Sequence, residues 1–155
     1  MEQMLQQLRD LYTSEHPHIA KFHGTVYDTQ KNVVLIAFEY MDQKSLRDVM
    51  HKAGKIPENV MGCCAAQVMS GFNYLHAERR IIHRDIKPSN ILCNKEGSFK
   101  IADFGMSKEL SATLSAGQTW VGTSSYMSPE RVGGQNYSFA SDIWSLGIIM
   151  VECVT

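Results

Sequence analysis

The stretch His83-Arg84-Asp85-Ile86-Lys87-Pro88-Ser89-Asn90 decides the reading of this chain. It sets a carboxylate, an amine and an amide at fixed offsets on one short loop. Such a set suits moving a phosphoryl group from a nucleotide to a hydroxyl, a reaction that asks a protein mainly for positioning and charge stabilisation. Asp85 can accept the hydroxyl proton, and Lys87 can neutralise charge on the phosphate in flight. Asn90 can offer an amide oxygen to magnesium, a hard cation that prefers oxygen ligands. A second magnesium ligand should lie nearby, and Asp103-Phe104-Gly105 supplies it, with Ser128-Pro129-Glu130 following.

The remaining composition bounds the answer. The chain has 155 residues, is 44% hydrophobic and 20% charged, and carries a net charge of -1. This is a globular composition with room for a core. The charge gives no pull towards nucleic acid or an anionic membrane. The longest apolar run, Val33 to Phe38, is far too short to span a bilayer. Cys63, Cys64, Cys93 and Cys153 show neither metal-ligand spacing nor a secreted framework. They read as reduced, buried thiols of the cytosol or nucleus.

Periodicity places the loop among regular elements. Glu2 to Tyr12 reads as a helix with Met4, Leu5, Leu8, Leu11 and Tyr12 on one face, broken before Pro17. Ile19 to Tyr27 and Val33 to Phe38 read as strands joined by a polar turn. The run Val33-Val34-Leu35-Ile36 does not alternate, so that strand is expected to be covered on both faces. Ser45 should cap a short helix to about Lys52. Pro57 fits the first turn of a longer helix, with Val60, Cys64, Val68, Phe72 and Leu75 at helical spacing. Asn94 to Gly97 turns a hairpin between Ile91-Leu92-Cys93 and Phe99-Lys100-Ile101. Gly105 to Gln118 is aperiodic and reads as a mobile loop. Ser141 and Asp142 open a final apolar helix.

The three motifs, in this order and with these elements between them, resemble the eukaryotic protein kinases. The resemblance implies an α+β fold, a partial two-lobe kinase domain. Residues 1–40 would be the remnant of the small lobe, with the C-helix and strands four and five. Residues 41–155 would be the large lobe through helix F. Neither Gly-x-Gly-x-x-Gly nor Val-Ala-Ile-Lys occurs in the sequence. The resembled fold needs roughly 250 residues, more than one average domain. The expectation is therefore a kinase domain cut at both ends.

The resemblance also assigns site residues. Asp85, Lys87, Asn90 and Asp103 would be catalytic, with Asn90 and Asp103 holding magnesium. Phe38 would be the gatekeeper. The Glu39 carbonyl and Met41 amide would hydrogen-bond adenine, and Leu92 would pack beneath the base. Ser45 and Ser89 would approach the ribose or phosphates. Leu11, Phe22, His83 and Phe104 match the hydrophobic column that joins the lobes, anchored by Asp142. Arg84 would meet a phosphate on the activation loop and order it. Gln7 falls where the C-helix glutamate is expected, with Glu2 on the same helix as the alternative register. Glu130 lacks the arginine that pairs with it in the family.

The segment from Thr119 to Arg131 narrows the resemblance to the MAP kinase kinases, dual-specificity enzymes that phosphorylate a Thr and a Tyr of a MAP kinase. Met41-Asp42 with Ser45-Leu46, and Lys52 to Glu58, agree. Ser115 and Thr119 match a phosphoacceptor pair of the animal type, and Thr113 and Thr119 one of the plant type. Thr123 reads as a structural contact to Asp85 and Lys87. The implied cofactors are ATP and Mg2+. The implied partners are a MAP kinase substrate and an upstream activating kinase, in the cytoplasm or nucleus. The alternative reading is a catalytically inactive, pseudokinase-like binding fragment.

Overall fold

A computed structural model describes residues 15–103, 124–136 and 138–155. The region expected to form the first helix, and the loop from Gly105 to Gln118, lie outside the described residues. Strand β1 (Phe22–Asp28) and strand β2 (Val33–Phe38) form an antiparallel hairpin, with Val26 opposite Leu35 and Tyr27 opposite Val34. The Asp28 carboxylate accepts from the amides of Gln30 (2.9 Å) and Lys31 (3.1 Å), which closes the turn. A register shift between Phe22 and Gly24 bends β1, with Gly24 at φ +155°.

The strand expected over Ile19 to Tyr27 starts later, because Ile19 and Ala20 pair elsewhere. Ala20 N–H donates to the Ile101 carbonyl (2.8 Å), and Ile101 N–H donates to His18 O (2.9 Å). This short parallel bridge ties the hairpin to a second one. In that hairpin β3 (Ile91–Cys93) pairs antiparallel with β4 (Phe99–Ile101) around a turn at Gly97, φ +79°.

The helices supply most of the core. Helix α1 (Leu46–Ala53) begins with a capping box, in which Asp48 N–H donates to Ser45 Oγ and the Ser45 N–H donates to the Asp48 carboxylate. Helix α2 (Glu58–Asn73) follows Pro57 and widens into a π-helical turn over Tyr74–Glu78. A four-residue helix α3 (Pro129–Val132) precedes α4 (Ala140–Val154). Met61, Cys64, Val68, Phe72 and Leu75 of α2 and the π turn pack with Ile86, Ile91, Ile101, Leu146 and Ile149. Each such side chain contributes about 1.5–3 kcal/mol when fully buried.

Three expectations need correction. Strand β2 is not covered on both faces: Val34, Ile36 and Phe38 pack on the core, while Val33 and Leu35 are 40% and 56% exposed. Apolar content without alternation therefore overstated the burial of one strand of a two-stranded hairpin. Val60 is exposed, and Met61 takes the inward place. The buried stripe enters α2 at Met61, one position past the expected start. Of the four cysteines Cys63 is exposed, and only Cys64, Cys93 and Cys153 are buried. Burial pushes these three thiols up, to about 12, 11 and 11. All four are free.

Gly71 shows why the layers sit so close. A Cβ there would lie 2.8 Å from Ile101 Cδ1 and 3.0 Å from the His18 carbonyl. Helix α2 thus approaches β4 and the segment before β1 at a distance only glycine permits. On the far side, Ile143, Trp144, Val151 and Val154 of α4 leave an exposed apolar stripe. Among the described residues, no helix is long and apolar enough to cross a membrane.

Candidate active site

The loop between the π turn and β3 is held by one carboxylate. Asp142, in the first turn of α4, is 1% exposed. Its Oδ2 accepts from His83 N–H and from His76 Nε2, both at 2.8 Å, and its Oδ1 accepts from Arg84 N–H at 3.0 Å. Burial alone would raise its pKa, but these donors outweigh burial and hold the carboxyl below its ordinary range. Phe72 and Phe139 flank the His76 ring, with centroids at 5.2 and 4.7 Å.

His83 is wholly buried, and desolvation lowers its pKa, so it stands neutral. Its Nε2 donates to the Ala102 carbonyl (2.9 Å), which leaves Nδ1 to accept from Asp85 N–H (3.3 Å). Arg84 between them adopts φ +74°, a left-handed conformation costly for a long side chain.

Four predicted residues meet here. Lys87 Nζ donates to Asp85 Oδ2 at 2.7 Å. The Asn90 amide donates to the Asp85 carbonyl (2.8 Å) and to Oδ2 (3.2 Å). With its NH2 so used, the Asn90 oxygen is left as an acceptor, reached among the described residues by Ser89 Oγ at 3.5 Å. Asp85 Oδ1 is buried and has no hydrogen-bond partner among the described residues. Ala102 N–H donates to the Asn90 carbonyl (2.9 Å), so β4 delivers Asp103 beside the loop. Asp103 is itself left-handed, at φ +58°. Its surface is exposed, yet the protein packed around its carboxylate raises its pKa, with Asp85 adding to the effect and His83 and Lys87 opposing it. The Asp103 carboxylate and the Asn90 amide oxygen are of the kind that suits a hard cation such as magnesium, which takes one or two carboxylates plus substrate oxygens.

The expected hinge follows β2. Phe38 packs edge-on against Phe22, with centroids 6.2 Å apart. Glu39 N–H donates to the Lys21 carbonyl, and the Met41 carbonyl accepts from Lys44 N–H. The Glu39 carbonyl and Met41 amide make no backbone hydrogen bond among the described residues. The Glu39 carboxylate is gripped by Lys100 Nζ, 2.8 Å from each oxygen, and by Lys21 N–H at 2.7 Å. Burial works against ionisation, but these donors win and lower the Glu39 pKa. Leu92 lies half-buried beside Lys100, facing away from buried Ile91 and Cys93. Ser45 is bridged to Leu92 through the backbone, but its hydroxyl is directed to Asp48 in the cap, 2.5 Å away.

Of the expected hydrophobic column, Phe22 packs against Phe38 and His83 is buried against the Ala102 carbonyl, while Leu11 and Phe104 lie outside the described residues. So do Gln7, Thr113, Ser115, Thr119 and Thr123. Glu130, expected to lack its partner, accepts from Ser128 Oγ (2.6 Å) and Ser141 Oγ (2.7 Å). Sequence reasoning missed three residues. They are His76 on Asp142, Lys100 on Glu39, and Arg131, whose Nη1 donates to the Arg84 carbonyl at 2.6 Å. Their partners lie 66, 61 and 47 positions away, and no local pattern announces them.

The sequence profile of the protein kinase domain matches residues 1–155, and the chain belongs to that family. The chain is 49% identical over 152 residues to dual specificity mitogen-activated protein kinase kinase 1 of Dictyostelium discoideum, covering 98% of this chain and 23% of that protein. It is 47% identical over 150 residues to mitogen-activated protein kinase kinase 1 of Arabidopsis thaliana, covering 97% and 42%. It is 46% identical over 151 residues to the dual specificity mitogen-activated protein kinase kinase dSOR1 of Drosophila melanogaster, covering 97% and 37%. The chain thus spans less than half the length of these relatives.

Proposed function

We propose that the protein carrying these residues transfers the γ-phosphate of ATP to Ser/Thr, and also to Tyr, of a MAP kinase. The observation that carries this reading is the divided state of Asp85. One oxygen is engaged by Lys87 and Asn90, and the other has no hydrogen-bond partner among the described residues. The Asp85 carboxylate, partly exposed beside Lys87, can take the proton of a substrate hydroxyl as that hydroxyl attacks. Lys87, at 2.7 Å from Asp85, fixes the carboxylate and brings a positive charge to the transferring phosphate. The free backbone groups of Glu39 and Met41 suit the adenine edge, with Leu92 beneath the ring and Ser89 towards the phosphates.

Asn90 and Asp103 would hold magnesium, which when bound supplies positive charge that offsets the phosphate oxygens. Arg84 would receive a phosphate placed on Thr119 and on Ser115 or Thr113 by an upstream kinase. This activity would be exercised in the cytoplasm or nucleus.

The test is transfer from γ-labelled ATP to a purified, inactivated MAP kinase. Asp85→Asn should lower kcat at least about a hundredfold while leaving nucleotide affinity within about twofold. Asp103→Asn should lower kcat comparably. Turnover by Asp85→Asn close to that of the parent protein would remove the assignment.

A further inference from the structure

We infer that Arg131 is a positioning residue for phosphoryl transfer, acting on Asp85 through the backbone of Arg84. The inference rests on the proposed function for its catalytic consequence and on geometry alone for the contact. The Arg84 residue is held at both of its polar backbone groups. Its N–H donates to Asp142 Oδ1 at 3.0 Å, and its carbonyl accepts from Arg131 Nη1 at 2.6 Å. That carbonyl belongs to the peptide whose other end is the Asp85 amide. Rotation of this peptide would swing Asp85.

Arg84 needs such restraint. At φ +74° it sits in a left-handed region that is costly for a residue with a long side chain, so the loop relaxes unless other contacts hold it. Asp142 does not reach the carbonyl side of Arg84, where the following Asp85 N–H makes a long, 3.3 Å hydrogen bond to His83 Nδ1. Arg131 supplies the second restraint with a charge-assisted bond from a planar, pre-organised group.

The support beneath Arg131 is itself fixed. Its neighbour Glu130 accepts from Ser141 Oγ at 2.7 Å, which pins α3 to α4 one residue before Asp142. Loop, α3 and α4 are therefore cross-linked pairwise by Asp142, Arg131 and Glu130. Helix α3 is only four residues long and has little packing of its own, so these polar links set where it sits. A shift of α3 would reach Asp85 through Arg131 without touching nucleotide or metal ligands.

The experiment uses the whole protein with γ-labelled ATP and an inactivated MAP kinase as substrate. Arg131→Leu should lower kcat about ten- to a hundredfold, as misplacement of a catalytic group does, with KM for ATP changed less than about twofold. Amide hydrogen exchange in the 82–87 segment should quicken in the same variant. Arg131→Lys, which keeps a donor but not the planar fork, should be intermediate in both. A merely structural role would lower the folded fraction and leave the kcat of the folded molecules unchanged. If Arg131→Leu does not fold, Arg131→Lys decides: parental kcat together with parental exchange overturns the inference. Unchanged exchange in a folded Arg131→Leu overturns it as well. A parent protein that transfers no phosphate at all would overturn the proposed function instead, and the exchange data would still judge the Arg131 contact.

Discussion

Substituting Asn for Asp142 tests the centre of the loop's support with the smallest change of shape. The carboxylate accepts three hydrogen bonds, from His76, His83 and Arg84, and is almost wholly buried. An amide offers one oxygen. If that oxygen takes the Oδ2 position, it still serves His76 and His83, but its NH2 then faces the Arg84 N–H. One charge-assisted bond is lost, worth about 1.5–3 kcal/mol, and one buried donor is left unsatisfied, at about 1–3 kcal/mol. The expected loss is about 3–5 kcal/mol, a large share of the stability of an ordinary domain. At about 2–4 °C per kcal/mol for a domain of this size, Tm should fall by about 10 °C. Thermal melts followed by circular dichroism, with urea titrations for the free energy, measure it directly. The residual folded protein should also lose activity, because Arg84 loses the restraint on its N–H. A variant melting within about 1 °C of the parent would refute the claim that this carboxylate holds the loop.

Other expectations follow from separate parts of the structure. Gly71→Ala should cost about 1–3 kcal/mol by overpacking, since the new Cβ meets Ile101 and the His18 carbonyl; an unchanged urea midpoint would mean that α2 and β4 are not in close contact. Stability should fall on acidification through pH 6.5. Buried His83 keeps a lowered pKa when folded but takes a proton near 6.5 when unfolded, and the unfolded state then gains by up to about 1.4 kcal/mol per pH unit. A second loss should follow below pH 4, because Asp142 has its pKa depressed by folding from 3.8 and its stabilisation disappears as pH falls through the folded value. Urea midpoints at pH 7.5, 5.5 and 3.5 check both, and a midpoint that rose on acidification would contradict them. Thr119→Ala combined with Ser115→Ala and Thr113→Ala should block activation by an upstream kinase; full activation of that triple variant, read by label transfer, would exclude these acceptors.

The local chemistry was legible because it is written in short segments. The loop from His83 to Asn90 carries Asp85, Lys87 and Asn90 within six residues, and the chain cannot spread such near neighbours far apart. The capping box at Ser45 and Asp48, the turn ending at Gly97 and the helical stripe from Cys64 to Leu75 are likewise set within one or two turns of chain, where propensity and periodicity act. Burial was less legible, since it depends on what lies across from a face. Val33 and Leu35 have the composition of covered residues and are exposed, because the hairpin offers only one face to the core. Among the supports of the site, the family resemblance marked Asp142, whereas His76, Arg131 and Lys100 were not legible. Asp142 reaches the loop from 58 positions away, Arg131 from 47, and Lys100 reaches the hinge from 61. Nothing local requires those partners. They meet because α2, α4 and the β3–β4 hairpin pack around one core. That packing brings distant donors to a carboxylate or carbonyl that burial has cut off from water, where an unmade hydrogen bond is most costly.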